Sequence, residues 1–529
     1  MSQKDEWAVY PRRPPDVVAD KRDDSLAPAD TPPLGRTRAL PPSVVIGPME
    51  TTRYLCAAAH LDPDFCERVI DDVVEEPYHA IGASYGVDVA AVARHALAAR
   101  RRRVIRDRLL LVALGLFVVL LVLRLRSAGV FDGTAEWSPG IVLTIAWPAL
   151  LALAAAWLVT AAEIWITRTR VLPKLAAGRF NPGELQPRVN ARLQDRLAAL
   201  DEVETGNVVV FRGFKPFVGA GIPIDGWSFA VDVTKGKVDA AGARKEPTLF
   251  TAEQLHAHLM ESLGALGLPG LRVAERLFID GFDVARDSRL LPERLAPPRT
   301  KVSHAVLAEA LREPQAAART YLCLEAAGWH GHLVVTMFAR AVRLPGSLFV
   351  EATTCVLLPL RNRYYRIDTV RPRSGVDAIV SVLGVSLRRF LRELFASPFR
   401  VAGAAGHARA TRHRRRDQHW MISNHKRFDY GASTSIREQA MGTDPNRYFL
   451  LLDQEMYVKV AQERLLQSIS EFLRDHDVDT AEFSVQQTVI NRNRTVNFGP
   501  ISGENVAVAA GNVQGLTQQS RGDGRGAGK

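Results

Sequence analysis

Two apolar runs in the first third of the chain constrain its fold more than any other feature. They are Leu109–Leu123 and Ile141–Ala162, and a short polar segment separates them. A helix needs about 20 apolar residues to cross a bilayer. The second run meets that length without a charge, and the first spans if Arg124 and Arg126 extend to the interface. The alternative is a buried helical pair inside a soluble domain. We predict transmembrane helix 1 at 108–126, an outside loop at 127–140 and transmembrane helix 2 at 141–166.

Basic residues on both flanks indicate the orientation of this hairpin. Cations dominate before the first run and after the second, whereas the segment between them also carries Asp132 and Glu136. An excess of Lys and Arg marks the cytoplasmic side. We therefore expect a multi-pass protein of the inner (cytoplasmic) cell membrane, with both termini in the cytoplasm and no signal peptide. The flanking cations include Arg100, Arg101, Arg102, Arg103, Arg106 and Arg108, then Arg168, Arg170, Lys174 and Arg179.

The net charge of +11 over 529 residues favours an acidic partner. In a membrane protein, the first candidate is the anionic lipid headgroups of the cytoplasmic leaflet. Nucleic acid is disfavoured, because the basic stretches carry few aromatic residues and no nucleic-acid-binding motif. The four cysteines are expected to be reduced in the cytoplasm, so they predict no disulfide framework.

Composition divides the rest of the chain into segments. Residues 1–50 are rich in proline and poor in large apolar groups, which predicts disorder. The C-terminal tail is rich in Gly and Asn and is expected to fray. The predicted segments are a disordered N-terminus (1–50), a cytoplasmic helical region (51–107), a connector helix (167–205), a cytoplasmic α+β domain (206–500) and the tail (501–529).

Alternating apolar and polar residues predict strands in the 206–500 domain. The clearest are Trp227–Thr234, Leu333–Ala341 and Leu348–Leu358, the last two joined by a turn at Pro345-Gly346. Helical spacing recurs between them. We predict an α+β domain with antiparallel strands. The predicted helices are Thr251–Leu266, Val376–Phe395 and Arg447–Asp475 in this domain, and Tyr54–His60, Pro63–Val74, Asp88–Arg103 and Leu185–Val203 before it.

Several short blocks resemble a family of two-span membrane proteins that occur widely in actinobacteria. They are Arg53-Tyr54-Leu55-Cys56-Ala57-Ala58-Ala59, Pro216-Phe217-Val218-Gly219 with Trp227-Ser228-Phe229-Ala230, and Asp429-Tyr430-Gly431-Ala432 with Ser435-Ile436-Arg437-Glu438. The resemblance covers the chain from about residue 50 to the tail. It implies the membrane anchor and the domain limits. No activity is assigned to that family, so it implies no catalytic residue.

The glycine-rich segment 213–221 is the most enzyme-like stretch. It follows a predicted strand and carries Lys215, Gly219 and Gly221, and backbone amides of such loops can bind phosphate. Nucleotide-binding fingerprints need a defined spacing and a following helix, which this segment lacks. A structural turn is therefore the favoured interpretation, and these three residues are the candidate ligand loop.

Two other groups contain residue types that catalyse reactions or bind metals. Cys56 and His60 lie one helical turn apart, but no Cys-x-x-Cys pair accompanies them, so we predict neither metal nor cofactor. Asp429, Arg437 and Glu438 belong to a polar block that suggests acid–base chemistry. A helix cap at Ser435 with Glu438 completing a capping box explains the same spacing and is favoured.

A second basic cluster follows the predicted helix Val376–Phe395 and includes Arg414, Arg415 and Arg416. An amphipathic helix followed by basic residues suits contact with an acidic membrane surface. The alternative, slightly favoured, is a core helix followed by a solvated loop.

These features predict a non-catalytic, membrane-anchored adaptor or sensor that positions protein partners at the bilayer. The competing prediction is a membrane-tethered enzyme or binding module that acts on a phosphorylated or nucleotide ligand.

Overall fold

The computed structural model describes most of the chain between residues 50 and 492. The predictions for the N-terminus, the loop between the apolar runs and the tail lie largely outside the described residues. The described ranges are 50–127, 139–185, 187, 191–238, 242–313, 315–369, 375–443 and 447–492.

Twelve α-helices lie within the described residues. They include the two long apolar helices and a still longer helix in the second half of the chain. The helices are α1 (Glu50–Leu61), α2 (Pro63–Val69), α3 (Val89–Ser127), α4 (Pro139–Ile166), α5 (Ala191–Glu204), α6 (Ala252–Gly264), α7 (His304–Arg312), α8 (Arg366–Thr369), α9 (Gly375–Ser423), α10 (Ile436–Ala440), α11 (Tyr448–Asp475) and α12 (Ala481–Arg492).

The predicted apolar hairpin is present as α3 and α4. The α3 helix runs without interruption for 39 residues, so the predicted cytoplasmic helix 88–103 and the first predicted span form one rod. Both helices are long and apolar enough to cross a membrane. After α4 the chain continues as a wider π-helical turn and then a tighter 3-10 turn over 167–175. The predicted connector helix 185–203 is seen as the shorter α5.

A six-stranded sheet forms the centre of the C-terminal region. Its spatial order is β1-β3-β4-β5-β6-β2. Four neighbouring pairs are antiparallel, as predicted, but β1 and β3 are parallel, so the sheet is mixed. A long connection separates β1 from β3, as parallel pairing requires. The strands are β1 (Val208–Phe211), β2 (Ile222–Asp232), β3 (Leu271–Asp280), β4 (Arg319–Gly328), β5 (Leu333–Arg343) and β6 (Ser347–Leu357).

Two local predictions in this domain, a hairpin and a helix cap, are confirmed. The strands β5 and β6 pair as a hairpin across the predicted turn, with Arg343 opposite Leu348. The α6 helix begins after Thr251, whose side chain and that of Gln254 complete a capping box. This box satisfies two backbone amides that the first helical turn leaves without a partner.

Each face of the sheet is covered by different elements. Leu322, Met337 and Val350 pack with α6 and α11 on one face. The side chains that alternate with these, among them Cys323 and Phe338, point to the other face. They pack there against loop residues near 83–85 and 217–220. The predicted helical region shares its core with the sheet-bearing region: α1–α3 pack against Tyr364 and Ile436.

The α9 helix is longer than predicted. The sequence indicates an end at Phe395, yet the helix continues through Pro398 to Ser423, so the solvated-loop alternative for the basic cluster is wrong. Proline removes one helical hydrogen bond. The Ala- and Arg-rich segment that follows has high helix propensity, and its arginines reach carboxylates on the 75–76 segment.

Candidate membrane interface

The outer surfaces of α3 and α4 are apolar and exposed. Only 6% of the most apolar stretch of α3 is buried, and 28% of the corresponding stretch between Ala146 and Leu175. A core helix of a soluble domain would bury this face, and exposed apolar patches of this extent mark a membrane or partner surface. Exposed residues are Leu109, Val112, Leu116, Val119, Val122 and Leu123 on α3, and Trp147, Leu150, Leu151, Leu158, Trp165 and Ile166 on α4.

The first half of α9 extends this apolar surface. Leu394 packs against Leu110 of α3 and Ala156 of α4. An adjacent stripe of the helix, with residues three and four apart, stays exposed, which is the pattern of an amphipathic helix at an interface. Its members are Val376, Ile379, Val380, Leu383, Leu387, Leu391, Phe395 and Phe399.

An ion-pair cluster joins α3, α4 and α9 at the end of this bundle where α3 enters its apolar stretch and α4 leaves it. The guanidinium of Arg400 binds both carboxylate oxygens of Asp107, at 2.9 and 3.1 Å, and Glu393 at 3.0 Å. Arg106 lies 2.9 Å from Asp107 and 3.7 Å from Glu163. Two cations and three carboxylates thus bind α9 to the base of the hairpin, where bidentate arginine contacts are strong.

Most of the predicted headgroup-binding arginines on α3 contact protein groups. Arg100 pairs with Glu75 at 2.5 Å, and Arg102 lies 2.6 Å from Nδ1 of His60. Arg103 donates to the carbonyls of Ala59 and His60. Arg101 is exposed. These contacts hold α1 and the segment after α2 against α3.

The second predicted basic group behaves in the same way. Arg415 donates to the carbonyl of Glu75 and lies 3.4 Å from its carboxylate. Arg414 lies 3.9 Å from Glu76, and Arg416 is exposed. The C-terminal half of α9 is therefore fixed to the segment that precedes α3.

The glycine-rich segment after β1 makes close backbone contacts. Gly219 has a φ of +94°, and a Cβ there would lie 1.6 Å from the carbonyl oxygen of Ala83. At Gly221 a Cβ would lie 2.2 Å from the carbonyl oxygen of Val356, and its amide donates to Glu438 at 3.0 Å. Lys215 is exposed. Both glycines thus have a packing role.

The polar block 429–438 forms the predicted cap. The Ser435 hydroxyl accepts from the Glu438 amide, and the Glu438 carboxylate accepts from the Ser435 amide. Asp429 pairs with Arg212 at 3.1 Å. Arg437 is fully buried and donates to the carbonyls of Gly331, His332 and Leu358. Burial lowers the pKa of Arg437 to about 10.

All four cysteines, Cys56, Cys66, Cys323 and Cys355, are buried, whereas His60 is half-buried. Burial raises the pKa of the Cys323 and Cys355 thiols to about 12, which disfavours the nucleophilic thiolate. His60 lies beside His95 and Arg102, and its burial lowers its pKa. Among the described residues, no group of three His, Cys, Asp or Glu side chains is placed to hold a metal ion.

A polar cavity of about 300 Å³ lies beside the 429–438 block and is not among the sites predicted from the sequence. It is lined by Arg212 and Arg414, among others. Two buried lining atoms, Oγ of Ser84 and Oε1 of Gln418, have no hydrogen-bond partner among the described residues. The lining residues are far apart in sequence, so no local motif could reveal the cavity.

The comparisons with known proteins assign the C-terminal region to a family. No curated protein and no solved structure matches the chain. A family model described as the AbeC-like domain matches residues 226–513, just over half of the 529 residues. The match takes in most of the sheet together with α6–α12, whereas α1–α5 and β1 precede it. The chain therefore belongs to the AbeC-like domain family.

Proposed function

We propose that this protein is an integral membrane protein whose mixed α+β domain is held at the cytoplasmic face by the α3–α4 hairpin. The observation that carries the proposal is the exposed apolar surface of both helices. Water contact of such a surface is unfavourable, whereas lipid contact is not. The resemblance to two-span actinobacterial proteins agrees with this anchor, and the matched family region begins after it.

The proposed orientation places both termini in the cytoplasm. Arginines concentrate at the α3 end that precedes the first apolar stretch and after α4, and positive residues favour the cytoplasmic side. The ion pairs of Arg106 and Arg400 lie at the same end. The sheet domain then lies at a fixed position against the inner leaflet.

Within this arrangement we propose a non-catalytic adaptor or sensor that presents its domain to protein partners. The residues that suggested acid–base chemistry have structural roles. Glu438 caps the helix α10 and accepts a hydrogen bond from the Gly221 amide, and Asp429 pairs with Arg212. Because α1–α3 and the 360–367 segment share one core, the orientation of the domain relative to the hairpin is fixed. A fixed domain suits the positioning of partners.

Alkaline carbonate extraction of native membranes, with reporters fused to the C-terminus, tests the anchor and its orientation. We expect the protein to stay in the membrane pellet and the reporter to be active only in the cytoplasm. Release by carbonate would contradict the anchor. Periplasmic reporter activity would contradict the orientation alone.

The polar cavity favours a second candidate function, the binding of a small phosphorylated or nucleotide ligand. Arg212 and Arg414 supply cations, and the atoms without partners at Ser84 and Gln418 offer hydrogen bonds. Thermal-shift measurements on the full-length protein with nucleotides or inorganic phosphate test this function. A shift lost in Arg414→Gln but kept in Arg416→Gln would support the cavity, whereas loss in Lys215→Ala would support the glycine-rich loop.

A further inference from the structure

A large cavity lies where α4 leaves the apolar bundle. Its volume is about 960 Å³, at the upper end of the roughly 300–1,000 Å³ typical of ligand pockets. Its walls come from the 168–179 segment that follows α4, from α1, from α8 and from the first turns of α9. Because Ile166 ends the apolar helix, the cavity lies at the depth where lipid headgroups meet the hairpin.

Cations outnumber anions in this cavity. Arg53, Arg168 and Arg179 line it, with Asp368 as the acidic member. Nη1 of Arg168 donates to the Ser381 hydroxyl at 2.8 Å, which joins the segment after α4 to α9. Guanidinium groups bind phosphate oxygens in pairs of parallel hydrogen bonds, so this set of side chains suits a phosphodiester.

Arg53 is held in place before any ligand arrives. Its guanidinium contacts Glu50 at 3.0 Å, Asp368 at 3.3 Å and the carbonyl of Leu175 at 3.3 Å. Arg179, in contrast, is exposed at the edge of the cavity. A buried arginine of fixed geometry and an exposed one at the edge can together surround an anionic group, and the fixed one needs no further ordering.

The remaining wall of the cavity is apolar and continues into the exposed apolar stripe of α9. Leu172, Ile367 and Val382 line the cavity, while Ile379 and Leu383, on either side of Ser381 in the sequence, are exposed. Inorganic phosphate has no apolar group that could contact this wall. A phospholipid has both parts: an anionic headgroup for the arginines, and acyl chains for the apolar surface.

We propose that this cavity binds the headgroup of an anionic phospholipid from the cytoplasmic leaflet. The inference rests on the proposed membrane anchor and adds a defined lipid site to it. Bound lipid bridges the segment after α4, α1 and α9, so it stabilises the attachment of the domain to the hairpin. Basic pockets between membrane helices on the cytoplasmic side are known to hold acidic headgroups in this way.

The test uses full-length protein in detergent, depleted of native lipid and titrated with short-chain phosphatidylglycerol. Thermal unfolding is followed by tryptophan fluorescence, with phosphatidylcholine of equal chain length and inorganic phosphate as parallel ligands. We expect phosphatidylglycerol to raise Tm and the other two to leave it unchanged. Arg168→Gln should weaken the lipid effect about tenfold in apparent affinity, because a charge-assisted contact is lost.

The matched control is Arg170→Gln, which removes the same charge two residues away, outside the cavity. Equal responses of Arg168→Gln and Arg170→Gln would overturn the site, and stabilisation by phosphate alone would overturn the lipid. If Arg168→Gln unfolds without lipid, the lipid response of Arg179→Gln, a change at an exposed arginine of the cavity, is compared with that of Arg170→Gln instead. Carbonate extraction separates the two proposals: an Arg168→Gln protein that stays in the membrane and keeps the full lipid response refutes the site and not the anchor.

Discussion

Replacing Gly219 with alanine tests whether the glycine-rich segment after β1 is built for packing. A Cβ at this position would lie 1.6 Å from the carbonyl oxygen of Ala83, far inside van der Waals contact. The backbone fixes the position of a Cβ, and the oxygen is itself a backbone atom, so neither can rotate away and the loop around residue 83 must move. Because that loop covers one face of the sheet near Phe338, the movement disturbs the core.

The chain offers a matched control in Gly213, six residues earlier in the same segment. Its φ of +69° is also left-handed, but a Cβ there would meet nothing within 4 Å. Gly213→Ala should therefore cost only the backbone strain, about 1 kcal/mol. Gly219→Ala adds overpacking of about 1–3 kcal/mol to a similar strain, about 2–4 kcal/mol in total.

Thermal unfolding of the full-length protein in detergent measures the difference between the two variants. At roughly 2–4 °C per kcal/mol, Gly213→Ala should lower Tm by about 3 °C and Gly219→Ala by about 10 °C. Equal shifts in the two variants would refute the packing role. A Gly219→Ala protein with the Tm of the wild type would also refute the packing role, and the ligand-loop hypothesis for this segment would then be favoured.

Three further perturbations probe the joints around the sheet and the hairpin. Asp107→Asn should destabilise the α3–α9 contact by about 2 kcal/mol or more, because it leaves Arg400 without its bidentate partner; a Tm equal to wild type would contradict this. Arg437→Met should cost about 2–4 kcal/mol, since three buried carbonyls lose their donor, and Arg437→Lys should recover part of the loss in Tm. Burial lowers the pKa of His332 to about 4, so the native state holds it neutral while the unfolded state protonates near pH 6.5. Stability should thus fall as pH drops from about 6.5 to about 4, by up to about 3 kcal/mol, and His332→Gln should flatten that fall; parallel Tm profiles would exclude His332 as the cause.

Elements with a strong local signal are predictable from this sequence. The β5–β6 hairpin, the Thr251 cap and the Ser435 capping box each depend on residues within a few positions of one another. The apolar hairpin is predictable for the same reason, because length and hydropathy alone decide it. In these places local preference and the final fold agree.

Elements that depend on distant partners are not predictable in this way. The strand β3 carries Arg272, Glu275 and Arg276, which interrupt its alternation, and its parallel pairing with β1 depends on a long connection. Pro398 and the basic residues after it suggest the end of a helix, yet contacts with Asp107 and Glu75 stabilise a continuous one. Tertiary contacts override local propensity there.

The same contacts show what the arginines near the apolar hairpin bind. Arginines that charge patterning assigns to lipid are largely engaged with carboxylates and carbonyls of the chain, as Arg100 and Arg415 are with Glu75. The base of the hairpin is therefore joined to the domain by ion pairs. The α9 helix contacts the apolar helices through Leu394 and Arg400 and reaches the 75–76 segment about four turns later. The proposed lipid site lies beside Ser381 on this same helix, so α9 connects that site to the domain.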